Sequence, residues 1–331
     1  MSDILLSSVG QTFAIFHHGT KEYRDDGLEP GQAYERHGHR FSTLPDLGPR
    51  LSAFGTVNDV HFGETQCGLI EGSDVGPVLS VGAGETPYPE VMNAAVIDSM
   101  KAHALDAVLV KGDLTSNGRI DEFNRFRAVY ETAFAEKLHF IRGNHESYHS
   151  PEMHAVSQIH RSLPGVELAM IDTSKPGFAN GTIRAEDLNW LEALAKQATA
   201  PVLVFGHHHI WSPRAERDKH FFGVEPDASE SLIELMSRHE SLVGYFAGHT
   251  HRNRVQRIDE KLYVEVASVK EFPGMWAHYE VFEGGILQVN HRANTDAALL
   301  WSEKTRVMYN GRYFDYAFGS LDERSFLVCR T

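Results

Sequence analysis

Cysteine is scarce: Cys67 and Cys329 are the two in 331 residues. That excludes a disulfide framework and makes a reducing cytoplasm the expected compartment. No apolar run approaches the ~20 residues that a membrane helix needs, so no membrane span is expected. Residues 1–20 lack a basic start, a long apolar stretch and a small-residue cleavage site, so no signal peptide is expected either. Basic excess is missing too. With 31 Lys and Arg against 45 Asp and Glu, the net charge is -14. This disfavours non-specific binding to nucleic acid or anionic membranes. Repeats and low-complexity linkers are also lacking. What is present is an ordinary apolar fraction of 42% and a large number of histidines, 20 in all. The length suits one large domain with additions, or roughly two domains.

Five short polar blocks organise the chain: Asp59-Val60-His61, Gly112-Asp113, Gly143-Asn144-His145-Glu146, Gly206-His207-His208 and Gly248-His249-Thr250-His251. Each follows an apolar run that reads as a buried strand: 53–57, 106–110, 138–141, 202–205 and 242–246. Each block therefore sits where a strand ends, the edge at which α/β sheets build sites. Between them, 89–104, 119–136, 185–198 and 229–239 read as helices from apolar residues at steps of three and four. Residue 166–171 is a further strand. The segment 63–87 is rich in Gly and reads as a long loop beside the site, its Glu64, Glu71, Asp74 and Glu85 read first as a solvated face and second as ligand contacts. Residues 147–165 read as irregular. Strands at 254–258, 261–267, 277–282 and 285–290 follow one another without helices, which predicts one antiparallel return sheet.

The ends differ from the middle. Residues 1–50 form a short β appendage, with a strand at 12–16 and a turn at Pro30-Gly31. Leu28-x-Pro30-Gly31-x-x-Tyr34 resembles the tyrosine corner of immunoglobulin-like sandwiches, and in particular the end of the β-domain that precedes some phosphatase domains. His17, His18, His37 and His39 read as solvated loop residues of this appendage. Residues 291–331 carry Tyr309, Tyr313, Phe314, Tyr316 and Phe318, too apolar for a free tail. They are expected to pack on the body or on a partner subunit, and a homo-oligomer is the modest expectation.

Oxygen and nitrogen donors without thiolate suit Mn, Fe or Zn. Asp59 and His61 can face one ion if the strand unwinds after its end. His249 and His251 have the same spacing and can face one ion or two. A carboxylate can bridge two cations, and Asp113 is the natural bridge. Two ions about 3.5–4 Å apart clamp an in-line displacement at phosphorus and lower the pKa of bound water, giving a hydroxide nucleophile. Glycines at the turns let the backbone bend closely around the centre.

In residue type and order these blocks resemble the calcineurin-like metallophosphoesterase superfamily, whose pattern is Asp-x-His, Gly-Asp, Gly-Asn-His-Asp/Glu, His, then Gly-His-x-His. The resemblance covers residues 51–290. Within the superfamily the chain looks most like the class III cyclic-nucleotide phosphodiesterases. The resemblance implies an α/β fold, a four-layer αββα sandwich, preceded by the β appendage. It implies Asp59, His61 and His251 on the first ion, Asn144, His207 and His249 on the second, and Asp113 between them. His145 would be catalytic, contacting substrate with Asn144 and either stabilising the developing charge or protonating the leaving oxygen. Glu146 would orient its neighbours. The family's His-His-Pro departs here to His207-His208-His209-Ile210, which leaves His208 as a second candidate ligand or a phosphate contact. The implied function is hydrolysis of small-molecule phosphodiesters, cyclic nucleotides among them, by attack of an ion-bound hydroxide. A phosphomonoesterase is the alternative, then a nuclease. A metal-free scaffold of this fold would have lost ligands, and this chain has lost none.

Overall fold

The computed structural model describes residues 4–69, 76–156, 158–211 and 222–331. Two six-stranded sheets stack face to face. The first runs Leu138–Ile141, Ala107–Lys111, Arg50–Val57, Met275–Phe282, Gly285–Arg292, Ser325–Cys329 across its width. Its first three strands are parallel and the rest antiparallel. The second runs Gln158–Leu163, Val166–Ile171, Val202–Phe205, Leu242–Ala247, Lys261–Glu265, Arg254–Ile258, with the middle four parallel.

The parallel strands are buried on both faces, which is why they read as unbroken apolar runs. Their inner sides meet in a core of Phe54, Leu109, Leu168, Phe205, Phe246 and Tyr279. Phe54 and Tyr279 stack with centroids 4.5 Å apart. On the outer side of the first sheet, helices Tyr88–Lys101 and Ile120–Phe134 bury Met92, Val96, Met100, Phe126 and Tyr130. On the outer side of the second, helices Ala185–Gln197 and Pro226–Arg238 bury Leu191, Leu232, Leu235 and Met236. Each such side chain contributes about 1.5–3 kcal/mol on burial. The layers are therefore helix, sheet, sheet, helix, as expected.

The return sheet is a correction. The strands at 254–258 and 261–265 complete the second sheet, while those at 275–282 and 285–292 belong to the first. An apolar run marks a strand but does not name its partner. Segment 147–165 also holds more structure than its composition indicated: it ends the short helix Asn144–His149 and contains the edge strand Gln158–Leu163. In the 63–87 loop, Gln66–Cys67 pairs with Leu79–Ser80. Glu71 and Asp74 lie outside the described residues.

The N-terminal 50 residues form a three-stranded sheet, Leu5–Val9, Phe13–His18 and Lys21–Asp26, and a hairpin, Ala33–Arg36 with His39–Ser42. The Tyr34 hydroxyl accepts from the Glu29 amide at 2.8 Å, a tyrosine-corner contact. Arg324 donates to the carbonyls of Leu6 and Ser7, and Val9 donates to Ser325 Oγ, so this unit is fastened to the far edge of the first sheet. His17 is not solvated: it is buried, 2.7 Å from Ser7 Oγ. The last 40 residues supply helix Asp296–Thr305, a short helix Tyr313–Ala317 and the edge strand Ser325–Cys329. Tyr313 and Met308 pack against Cys67, Tyr88, Phe272 and Met275 of the body. Among the described residues no helix is long and apolar enough to cross a membrane.

Candidate metal centre

All five polar blocks meet where the strands of both sheets end. Asp59, His61 and Asp113 follow strands of the first sheet, and Asn144 opens the helix Asn144–His149 after a third. His207, His208, His249 and His251 follow strands of the second. The strands do unwind. Asp59, His61, Asp113, His249 and His251 all have positive φ, at 54°, 45°, 50°, 68° and 57°. A non-glycine residue held there costs about 1–2 kcal/mol. Five together at one place mark a functional constraint. Two glycines allow the close approach. A Cβ on Gly112 would lie 2.6 Å from the His207 ring, and one on Gly143 would lie 2.2 Å from Asp113 Oδ1.

The donors form overlapping groups held together by two carboxylates. Asp59, His61 and His251 each bring one donor atom within 4.8 Å of the others, and Asp113 does the same both with His61 and His145 and with Asp59 and His207. His251 Nε2 is 3.4 Å from Asp59 Oδ1. Asp113 Oδ2 lies 3.5 Å from His61 Nε2 and 3.3 Å from His207 Nε2. His207 Nε2 is also 3.0 Å from Asn144 Oδ1, while its Nδ1 donates to the Lys111 carbonyl at 2.8 Å. His208 is turned by a Thr173 Oγ1 contact at its Nδ1, 2.9 Å, and one of its ring nitrogens lies within 4.8 Å of donor atoms of His207 and His249. His145 stands at the rim. Its Nδ1 meets the Ser116 carbonyl at 2.6 Å, and its Nε2 is 3.9 Å from Asp113 Oδ2.

Burial alone would raise the Asp113 carboxyl, but the imidazoles of His207, His145 and His61 outweigh it and hold the group well below its usual range. Burial would likewise lower His207 and His251. The facing carboxylates win instead: Asp113 and Asp59 raise His207 to about 9, and Asp59 and Glu271 raise His251 to about 10. His249 goes the other way, down to about 3, through burial and then the His207 charge.

The donor set fits cations. Both ring nitrogens of the buried His61 and the Nε2 of His208 lack hydrogen-bond partners among the described residues. Buried imidazole nitrogens without partners, beside two carboxylates, are donors that a cation would satisfy.

Residues 54–253 match the model of the calcineurin-like phosphoesterase family. The chain belongs to that family. It is 30% identical over 159 residues to a glycerophosphodiester phosphodiesterase, GpdQ, of Enterobacter lignolyticus, a match covering 44% of this chain and 56% of the relative. It is 24% identical over 153 residues to the 3',5'-cyclic adenosine monophosphate phosphodiesterase CpdA of Pseudomonas aeruginosa, covering 45% and 55%. The chain thus spans a little over half the length of these relatives. A dimetal phosphatase from Danio rerio shares the fold, with a TM-score of 0.54 at 16% identity, covering 74% of this chain and 97% of that one.

Several residues that shape this calcineurin-like site escaped the sequence. Asn58 donates to Asp59 Oδ2 at 2.5 Å and to the Val266 carbonyl at 3.0 Å. Glu271 Oε1 lies 2.6 Å from His251 Nδ1 and takes the Tyr313 hydroxyl as well. Glu64 is not part of a solvated face: it pairs with Lys270 at 2.7 Å and lies 3.4 Å from His61 Nδ1. Asn58 adjoins a motif and was findable. Lys270 and Glu271 lie in a connector without periodicity, and nothing local marks them.

A cavity of about 710 Å³ opens over the centre. Asp113, Asn144, His145, His249 and His251 form its floor, and Tyr309, Tyr313 and Tyr316 from the C-terminal segment form one wall. Phe222 and Leu69 also border it, and most of the neighbouring 211–227 stretch lies outside the described residues.

Proposed function

We propose that the chain hydrolyses phosphodiesters of small molecules at a dinuclear metal centre. The observation that carries this is the sharing of Asp113 between two donor groups at the floor of the cavity. In this reading Asp59, His61 and His251 hold one ion, Asn144, His207 and His249 hold the other, and Asp113 bridges. His207 is preferred to His208 because its Nε2 faces both Asp113 and Asn144. Mn, Fe and Zn all suit the donors. Bound cations would supply Lewis-acid stabilisation of charge at phosphorus and activation of water.

The side chains do the rest. Asn144 and His145 orient the phosphate from the cavity floor. The Ser116 carbonyl holds His145 by Nδ1 and leaves Nε2 to pass a proton to the departing oxygen. Tyr309, Tyr313 and Tyr316 keep one side of the cavity apolar. The diester reading draws on the named activities of the two relatives. It also draws on charge. Among the described cavity residues the one Lys or Arg is Arg252, and Glu265 already binds it at 2.9 and 3.2 Å. A monoanionic diester needs less cationic help than a dianionic monoester.

The test compares bis(p-nitrophenyl) phosphate with p-nitrophenyl phosphate on Mn²⁺-loaded protein. Faster turnover of the diester is expected; preference for the monoester would replace this reading with a phosphomonoesterase. His145→Ala should lower kcat by about 10²–10⁴, the usual range for general acid help, with metal content unchanged. Loss of an ion in that variant would make His145 a ligand instead.

Metal loading should also release protons. With pKa values of about 9 and 10, His207 and His251 are imidazolium at pH 7.5 in the metal-free protein. A ligand must be neutral, so each ring gives up its proton, roughly two per chain, and affinity rises with pH. Calorimetry in buffers of different ionisation enthalpy measures this. Release near zero at pH 7.5 would show that these rings do not bind metal.

A further inference from the structure

Three histidines that the dinuclear centre does not use converge on the outer face of the first sheet. His278 lies on strand Met275–Phe282, opposite Val289 and Gly55. His291 lies on the neighbouring strand opposite Trp276, so both rings project from the same face. His103 reaches them from the turn that follows helix Tyr88–Lys101. Ring centroids are 4.4 Å apart for His103 and His278, 5.0 Å for His103 and His291, and 5.8 Å for His278 and His291. One nitrogen from each ring lies within 4.8 Å of the other two.

Two of these rings are buried and unmet. His278 is 4% exposed and His291 5%, and the Nε2 of each lacks a hydrogen-bond partner among the described residues. A buried polar atom left unpaired bears its full desolvation penalty, and here two such atoms sit on neighbouring strands. Plain aromatic packing does not account for that, since a phenylalanine would fill either place without the cost. Phe13 and Trp276 already supply the apolar contacts, each stacked on His291. Burial, then the neighbouring histidines and the guanidinium of Arg24 or Arg50, hold His278 at about 3 and His291 well below its ordinary value. Both rings are thus neutral at pH 7, the form that binds metal. Arg24 and Arg50 are themselves paired, with Asp26 at 2.7 Å and Glu280 at 3.6 Å.

We propose that His103, His278 and His291 form a third, separate metal site for a divalent ion of the zinc class. Three imidazoles without a carboxylate suit Zn²⁺, Co²⁺, Ni²⁺ or Cu²⁺ and not Mn²⁺ or Mg²⁺. The partial exposure of His103 leaves a fourth position for water. Gly55, beside His278, precedes Asp59 by four residues of chain, on the order of 13 Å at strand rise. The site therefore lies away from the dinuclear centre. An ion there would tie the end of helix Tyr88–Lys101 to two strands that carry the first sheet.

The test is metal counting on the full chain. Metal-free protein is dialysed against Mn²⁺ and then against micromolar Zn²⁺, and bound ions are measured by mass spectrometry of the elements. His103→Ala is the decisive variant, because its side chain is partly exposed and lies outside the two strands. His291→Gln, judged folded by circular dichroism, supports it. Wild type should hold one more Zn²⁺ per chain than His103→Ala, and its Co²⁺ form should gain a visible absorption band that the variant lacks. Equal zinc counts in wild type and His103→Ala, with matching Co²⁺ spectra, would overturn the proposal. Either result stands independently of the reaction at the dinuclear centre.

Discussion

Replacing Asp113 with Ala should abolish turnover and lower the bound metal of the purified protein. Asp113 is buried and lies between His61 and His207, and its Oδ1 accepts the His145 amide at 3.0 Å. Its Oδ2 lies within 3.5 Å of both His61 Nε2 and His207 Nε2. Without it the two sites lose their shared anion, and His61, His145 and His207 face one another uncompensated. A loss of roughly 10³-fold or more in kcat, about 4 kcal/mol at 1.36 kcal/mol per decade, is the expected scale. Kinetics on bis(p-nitrophenyl) phosphate and metal analysis of the same preparation measure it. Full activity with a full metal complement would remove Asp113 from the centre.

Glu146→Ala should show its effect on stability as well as on turnover. The carboxylate is wholly buried, yet it is not among the donor groups. Oε1 accepts the Thr115 amide at 2.7 Å and the Thr115 hydroxyl at 2.6 Å, and Oε2 accepts the Gly143 amide at 2.8 Å. It thus ties the Gly112–Thr115 turn to the start of helix Asn144–His149, which places Asp113 beside Asn144. Burial, with help from the Asp113 charge, raises its pKa, and these bonds oppose the rise. Hydrogen bonds to a charged group contribute about 1.5–3 kcal/mol each, and truncation leaves three donors unmet. A loss of about 3 kcal/mol or more is expected, which lowers Tm by roughly 5–10 °C in a domain of this size. Thermal melts of metal-loaded protein test this. An unchanged Tm would mean that the two turns are held by other contacts.

Much of the site was legible because its signals are local. An apolar run of four to six residues followed by Gly, Asp, Asn or His marks a strand end without any knowledge of what the strand pairs with. Asp59, His61, Asp113, Asn144, His207, His249 and His251 all carry that mark, and the structure brings them to one place. The supports were not legible. Glu271 reaches His251 across 20 residues, and Asn58 reaches Val266 across 208. Such contacts depend on which strands become neighbours, and pairing is a long-range choice that neither propensity nor periodicity records.

The sequence by itself determined the order of strands and helices, the donor types and their positions at strand ends. It did so because burial on both faces forces continuous apolar runs and the site chemistry forces polar residues directly after them. Only the tertiary structure decided that residues 254–265 and 275–292 belong to different sheets. It alone decided that five donor residues adopt left-handed backbone, that His207 and not His208 faces Asn144, and that His103, His278 and His291 meet. Each of these depends on atoms far apart in the chain being held at a few ångströms, and only the packed core supplies the energy to hold them there.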